Sequence, residues 1–471
     1  MEKNNGGKAA LIIFIAFGLL VILSLMPWSK WTGGKVKDFN LLADIFPAEL
    51  VESDSTTTAA VEDIDPELLK AQSEAEAAAR PVNHADSASP SLTKIIAESD
   101  TLIPEAKPSK VGELVILEDY TPSGLGLANL RRAINSGAFA RIALVGDSYI
   151  EGDIFSQDLR EKLQSAYGGE GVGYVNMHSD FPGFRRTVKQ GGSGWKTFTA
   201  LKKAENRFLS LSEQYAVASG DASATYHGTK AYPQNAQWSR SKFLFITPEA
   251  TKISYRAGGD WIETEVAADS MVQMISIDGV TDDFEVKTRS SRLIGLGVWL
   301  DGNTGIGLDC MSSRGFSGIT LTRVNPRLCL EMTRCGIDYN LIILEFGINA
   351  MSSSQKNYSV YCSRMVEVIN HVKQCYPRAD ILLMGVGDRG EKRGTEIHSM
   401  ATADAMIDAQ REAARKAHCL FWDTREAMGG RDAVVSWSRD GLINKDYIHL
   451  THKGGERLAQ QLFKAIQYNL K

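Results

Sequence analysis

The stretch Arg141-Ile-Ala-Leu-Val-Gly-Asp-Ser148 decides how the rest of the chain is read. Arg141–Gly146 is a short apolar run rich in β-formers, the pattern of a strand buried on both faces of a parallel sheet. It ends in Gly146-Asp147-Ser148, a tight turn that leaves a hydroxyl just ahead of the next helix. That helix is predicted over Asp158–Tyr167, closed by Gly168-Gly169, and another precedes the strand at Leu127–Ile134. The same rhythm returns downstream. Strands are predicted at Tyr339–Phe346, Asp380–Val386 and Leu420–Asp423, and helices at Tyr358–Cys375 and Thr402–His418. Gly454–Leu470 closes the chain as an amphipathic helix, with Leu458, Leu462 and Ile466 on one stripe. Strands alternating with helices predict an α/β fold: a parallel sheet with helices on both faces.

Between 178 and 300 the pattern changes. Short β-rich runs (Lys242–Ile246, Thr251–Tyr255, Val272–Ile277, Leu293–Leu300) follow one another, separated by Gly, Asp and Ser. This segment is predicted to be an inserted all-β domain, a sandwich by default.

The chain has 471 residues, 43% hydrophobic and 23% charged, an ordinary balance for a protein that buries a core. Its 52 basic and 57 acidic residues leave a net charge of −5, which gives no electrostatic footprint for nucleic acid. The window 51–110 carries −7 and leaves +2 for the rest; it holds five of the thirteen prolines and no Gly, Cys or aromatic residue. Such a stretch buries too little surface to offset its ordering entropy, so it is predicted to be a disordered acidic spacer. Ala9–Met26 is an apolar run of 18 residues, preceded by Lys3 and Lys8 and followed by Trp28 and Trp31. Its length and interfacial tryptophans predict a transmembrane helix, with a cleaved signal peptide as the alternative. The expected plan is a cytoplasmic stub and anchor over 1–31 and a spacer over 32–110. The α/β domain then runs over 111–177 and 301–471, split by the β-domain over 178–300. The expected product is a single-pass inner-membrane protein whose catalytic part faces the periplasm. The six cysteines all lie in the last third with no C-x-x-C pair, and are expected as small buried apolar residues.

In open α/β sheets chemistry sits at the carboxyl ends of strands, and four such places carry distinctive residues. They are Gly146-Asp147-Ser148, Gly315 within Ser313–Gly318, Gly347-Ile348-Asn349, and Asp446-Tyr447-Ile448-His449. Taken singly, each is more often a turn, a cap or a surface pair. Taken together and in order, they supply a hydroxyl, an imidazole with a carboxylate three residues away, and donors for a developing oxyanion. Gly171 and Gly173 compete with Gly315 for the second place. Gly315 is preferred because a predicted strand, Ile306–Cys310, leads into it.

These four blocks resemble those of the SGNH (GDSL-type) hydrolases, over residues 111–177 and 301–471. The resemblance is strongest to exported peptidoglycan O-acetylesterases, in which a carbohydrate-binding-like β-domain lies between the first and second blocks. It implies the three-layer α/β/α fold of that family. It also implies Ser148 as nucleophile, His449 as base and Asp446 as its orienting acid. The oxyanion hole would come from the Ser148 and Gly315 amides and the Asn349 side chain, with no metal and no cofactor. The expected activity is removal of O-acyl groups, above all O-acetyl, from an envelope polysaccharide such as peptidoglycan. An O-acetyltransferase of the same fold, working beside a multi-span membrane O-acyltransferase, and a non-catalytic glycan-binding scaffold are the alternatives. Trp195, Arg185 and Arg186, with Tyr226, Tyr232, Trp238 and Trp261, are candidates for a sugar-binding face in the insertion. His452, three residues past His449, is expected to be a solvated residue that begins the last helix.

Overall fold

The strand Ala140–Gly146 is buried along its whole length because it has partners on both edges and cover on both faces. It pairs in parallel with Ile306–Ser312 on one side and Leu341–Glu345 on the other. The sheet continues in parallel through Asp380–Met384 and Leu420–Trp422, and closes on the short antiparallel Glu118–Asp119. Leu341–Glu345 and Asp380–Met384 are likewise buried at every position, a pattern that requires helices over both faces. Ser156–Tyr167 packs against His452–Leu470, and Ser359–Cys375 against Ala403–Lys416. The α/β prediction thus matches this computed structural model, with element ends shifted by one or two residues. Residues 110–202 and 204–471 are described. The apolar run Ala9–Met26 and the expected spacer over 32–110, except its last residue Lys110, lie outside them, and no described helix is long and apolar enough to cross a membrane.

Strand order places the site. Ile306–Ser312 and Leu341–Glu345, consecutive in this sheet's chain order, lie on opposite sides of Ala140–Gly146. Connections therefore diverge at that strand, and a crevice opens beyond its carboxyl end. The register sets Ser312, Gly146 and Glu345 level with one another, so the three segments that follow start side by side.

The β-rich region begins earlier than 178. Gly171–Val175 pairs with Ile294–Asp301, so this strand belongs to the insertion and not to the first α/β segment. Nine strands form one continuous antiparallel sheet, not two separate sheets. It folds over because the fifteen-residue strand Gln214–Gly228 pairs near its start with Ile294–Asp301 and further on with Asp283–Thr288. Side chains from both leaves, among them Phe243, Phe245, Val298, Ile253, Phe284 and Val286, share one apolar core. The two regions are joined by buried charge. Arg141, on the central α/β strand, donates to Asp301 and Asp309, and Lys242 also reaches Asp301. Asp309 accepts as well from the Trp299 indole at 2.8 Å and the Tyr339 hydroxyl at 2.8 Å.

Candidate active site

The first strand delivers Ser148 directly into the crevice. Its hydroxyl lies 2.9 Å from His449 Nε2. On the far side of the ring, Nδ1 lies 2.8 Å from Asp446 Oδ2. A carboxylate accepts and does not donate, so Nδ1 carries the proton and Nε2 is left to accept from the serine hydroxyl. The other Asp446 oxygen accepts from the Ile448 and His449 amides at 2.9 and 3.0 Å. Burial pushes the Asp446 carboxyl up, but the bonds from the His449 ring and these amides reverse that and hold it below the usual carboxylate range. The loop holds this pose because Tyr447 takes a left-handed conformation (φ 60°). Its carbonyl accepts from Gly390, and the loop is pinched by bonds from Asn444 to His449 and from Tyr447 to Asn444.

Next to Ser148 lies a set of donors. Among the described residues, neither the Ser148 nor the Gly315 amide donates to another protein group. Gly315 adopts φ 81°, with open space where a side chain would project. Its loop is fixed to the first strand by Ser313, whose amide donates to the Gly146 carbonyl at 2.8 Å. Gly171 and Gly173, the competing candidates, are instead strand residues pressed against the backbone of Leu300 and Leu308. The Asn349 amide follows the third strand through Gly347, where φ is 123° and an added Cβ would come within 2.7 Å of Gln410 and Val386. Asn349 Nδ2 donates to Asp147 Oδ2 and to the Phe316 carbonyl, both at 2.9 Å. The structure therefore brings all four blocks together.

Sequence reading missed what stands behind Asn349. Asp147 and Glu345 are both fully buried and close enough to perturb one another. Burial pushes Asp147 up to about 7 and, with the Asp147 charge beside it, Glu345 well above the carboxylate range. Asp147 accepts from the Tyr149 amide and from Asn349, whereas Glu345 Oε2 has no partner. Ionisation is therefore assigned to Asp147 and the neutral form to Glu345. A sequence signal existed: Glu345 is the lone acid in an otherwise apolar strand core.

Most of the candidates for a sugar-binding face in the insertion are engaged inside the fold. Trp195 is 8% exposed, and its indole donates to the Ser223 carbonyl inside the β-core. Tyr226 and Trp238 are buried as well, and the Tyr232 hydroxyl is bound to Asp158. Arg185 spends its guanidinium on Asp153, Thr187, and the Tyr174 and Val172 carbonyls. Arg186 is exposed, and Trp261 is exposed with Lys287 4.1 Å from its ring centre. His452 is not solvated as expected: it is half-buried with Nδ1 3.0 Å from the Gln157 amide. Burial, followed by the charge of Arg186, lowers its pKa below the ordinary histidine value. All six cysteines are free, five of them buried. Among the described residues no group of three or more His, Cys, Asp or Glu is placed to hold a metal ion.

Residues 291–457 match the model of the GDSL-like lipase/acylhydrolase family. Ser148 lies upstream of the matched span because the β-region separates the first block from the rest. Among solved structures, a peptidoglycan O-acetylesterase aligns with a TM-score of 0.62 at 21% identity, covering 75% of this chain and 99% of that one. A Bacillus subtilis protein (TM-score 0.29, 11% identity, 59% and 90% covered) shows a far weaker likeness. A family two carbohydrate esterase from Cellvibrio japonicus (0.26, 9%, 60% and 98%) is weaker still. At these identities the likeness is one of fold. No curated protein matches the chain.

Proposed function

Because this chain is an SGNH/GDSL-type hydrolase, and so a carboxylic ester hydrolase, we propose that it removes O-acyl groups, in the first instance O-acetyl, from a cell-envelope polysaccharide such as peptidoglycan. It would do so from the periplasmic side of the inner membrane, anchored by Ala9–Met26. The observation that carries the chemical part is the line Ser148–His449–Asp446, at 2.9 and 2.8 Å, beside two unspent amides. Ser148 attacks the ester carbonyl as His449 Nε2 takes its proton. The ionised Asp446 holds the ring and stabilises the imidazolium that forms. Negative charge on the carbonyl oxygen is met by the Ser148 and Gly315 amides, with Asn349 turning one N–H from Phe316 toward it. His449 then gives this proton to the sugar oxygen as its bond to the carbonyl carbon breaks, releasing the sugar hydroxyl, and water repeats the sequence on the acyl-enzyme. The polysaccharide assignment is supported by the fold likeness to a peptidoglycan O-acetylesterase and by the anchor and spacer expected from the sequence.

The test is acetate release from p-nitrophenyl acetate and from O-acetylated peptidoglycan, with and without an acceptor glycan. Ser148→Ala is expected to abolish release from both, and Asp446→Asn to lower it by orders of magnitude. Undiminished activity in Ser148→Ala would reject the reading. Acetylated acceptor in place of free acetate would convert it to acyl transfer.

A further inference from the structure

A cleft of about 410 Å³ opens between the α/β region and the β-region, in the size range of ligand sites. One wall comes from residues that follow or flank the candidate oxyanion donors without including them: Glu151–Asp153, just after Ser148, and Ser312, Ser313, Arg314 and Phe316, on either side of Gly315. Glu151 and Arg314, ion-paired to each other, tie these segments together at the mouth. The opposite wall is the long hairpin of the β-region and contributes Gln190, Thr197, Thr199 and Gln214, uncharged groups that both donate and accept.

At the rim stands the turn Phe181-Pro182-Gly183-Phe184. Phe181 is 66% exposed and Phe184 40%, an unusual exposure for two rings three residues apart. The turn is built to be rigid. The Phe184 amide donates to the Phe181 carbonyl at 3.1 Å, and Pro182 fixes its own φ. Arg185 bolts the base to Asp153 and to the Tyr174 and Val172 carbonyls. Phe184 also lies over Gly152, where an added Cβ would come within 2.5 Å of the ring, so the turn is seated on the segment after Ser148. Two apolar rings held in water on a fixed support lose little entropy when something covers them.

We propose that this cleft is the bed for the polysaccharide, with Phe181 and Phe184 stacking on sugar C–H faces while the amide and hydroxyl side chains opposite bind the ring hydroxyls, so that a glycan-borne ester is delivered to Ser148. The proposal rests on the ester hydrolase reading above. The lining selects the occupant: a sugar ring has an apolar face and a hydroxyl edge, matching this division. Gln190 already donates to the Asn176 carbonyl, but a lipid chain would leave the buried Thr197 hydroxyl, which has no partner among the described residues, unpaired.

The measurement is the ratio of kcat/KM on O-acetylated peptidoglycan to kcat/KM on p-nitrophenyl acetate, in the full chain. Phe181→Ala, which removes a ring that is mostly in water, should lower that ratio about three- to tenfold. Phe181→Ala/Phe184→Ala should lower it tenfold or more, and Phe181→Trp should hold or raise it. A ratio within twofold of wild type in the double variant overturns the proposal, whether both activities persist or both fall together. Wild-type chain that cleaves p-nitrophenyl acetate but releases no acetate from the polymer also overturns it, leaving the esterase reading intact. Wild-type chain inactive on both substrates overturns the esterase reading and the cleft with it.

Discussion

Replacing Asp153 by Asn should unfold the protein several degrees earlier, and the structure sets the size of the effect. Asp153 is wholly buried five residues after Ser148 and receives five donors. Arg160 gives it two bonds at 2.7 and 2.8 Å, Arg185 one at 3.2 Å, Thr187 one at 2.7 Å, and Ser156 a further short one. Asn keeps the shape and tolerates the left-handed backbone at this position (φ 66°). It removes the charge, however, and turns an N–H toward N–H donors. Arg160, itself wholly buried, would be left without a counter-charge, a change that costs about 3–5 kcal/mol. With roughly 2.1 cal/mol/K of unfolding entropy per residue over about 360 residues, that is a fall in Tm of about 4–7 °C. Burial pushes the Asp153 carboxyl up, but the two arginines overcome this and hold it below the ordinary carboxylate range. Its contribution is therefore complete above the unfolded value near pH 4 and is lost only as pH falls further, through the lowered folded value. The Tm gap between wild type and Asp153→Asn, followed by circular dichroism, should stay constant from pH 5 to 8. A gap under 1 °C, or one that closes between pH 8 and 5, would refute the assignment of Asp153 as an ionised hub.

Glu345→Gln should raise Tm by an amount that grows with pH. A carboxyl held neutral in the fold takes up a proton that the unfolded chain releases, so stability falls by up to about 1.4 kcal/mol per pH unit above pH 4.3, and Gln removes that slope. Thermal melts of both proteins from pH 5 to 8 would show it, and parallel curves would count against a neutral Glu345. Asp147→Asn should lower kcat/KM on p-nitrophenyl acetate about 10- to 100-fold, because Tyr149 and Asn349 donate to different carboxylate oxygens and Asn, keeping its one oxygen toward the Tyr149 amide, turns an NH2 toward Asn349 and releases that side chain. Gly347→Ala should lower both Tm and activity, since its Cβ would meet Gln410 and Val386 at 2.7 Å. Unaltered kinetics would mean that Asn349 is positioned by other means. His452→Ala should cost about 1–3 kcal/mol, because it leaves the buried Gln157 amide without its partner, and leave the pH–rate profile in place.

How far the sequence could be read depended on whether partners were local. Asp446 and His449 are three residues apart on one loop, and Ser148, Gly315 and Asn349 each follow a strand whose apolar run is plain. Their meeting needs only the strand order, which α/β connectivity restricts to a few choices. Trp195 failed for a different reason. Alternation assigns a face to each strand residue, but the pairing breaks between Ser193 and Trp195, where one residue of this strand stands against four of its partner, so the alternation before the break does not carry through to Trp195. Arg185 failed because its carboxylate, Asp153, lies 32 residues earlier, so a guanidinium fully engaged inside the fold reads as a free cation in a loop. Phe181 and Phe184 stand in Asp-Phe-Pro-Gly-Phe, a sequence typical of a turn. A turn motif says nothing about whether its flanking rings fold inward.

These two arginines also bear on how the β-region works. A binding module on a flexible tether would leave its junction polar and wet. Here Arg141 reaches Asp301 and Asp309 within the interior, and Arg185 joins the loop over the cleft to Asp153 beside the serine turn. Separating the regions would expose Arg141 and Asp301, each 1% or less exposed, and break bonds whose loss leaves charge unpaired in a poorly solvating interior. The β-region therefore forms a fixed wall, and in the proposed polysaccharide bed selectivity would arise from which chains fit a gap of set width rather than from closure around them. Lys242→Met tests this. Lys242 contributes one of the two cations on Asp301, and burial lowers its pKa despite that partner, so its ammonium is the less secure of the pair. Loss of this side chain should leave Arg141 in place, and melting should remain a single transition followed equally by tryptophan fluorescence and by loss of esterase activity. Two separated transitions, with the β-region unfolding first, would show a tethered module and refute the fixed wall.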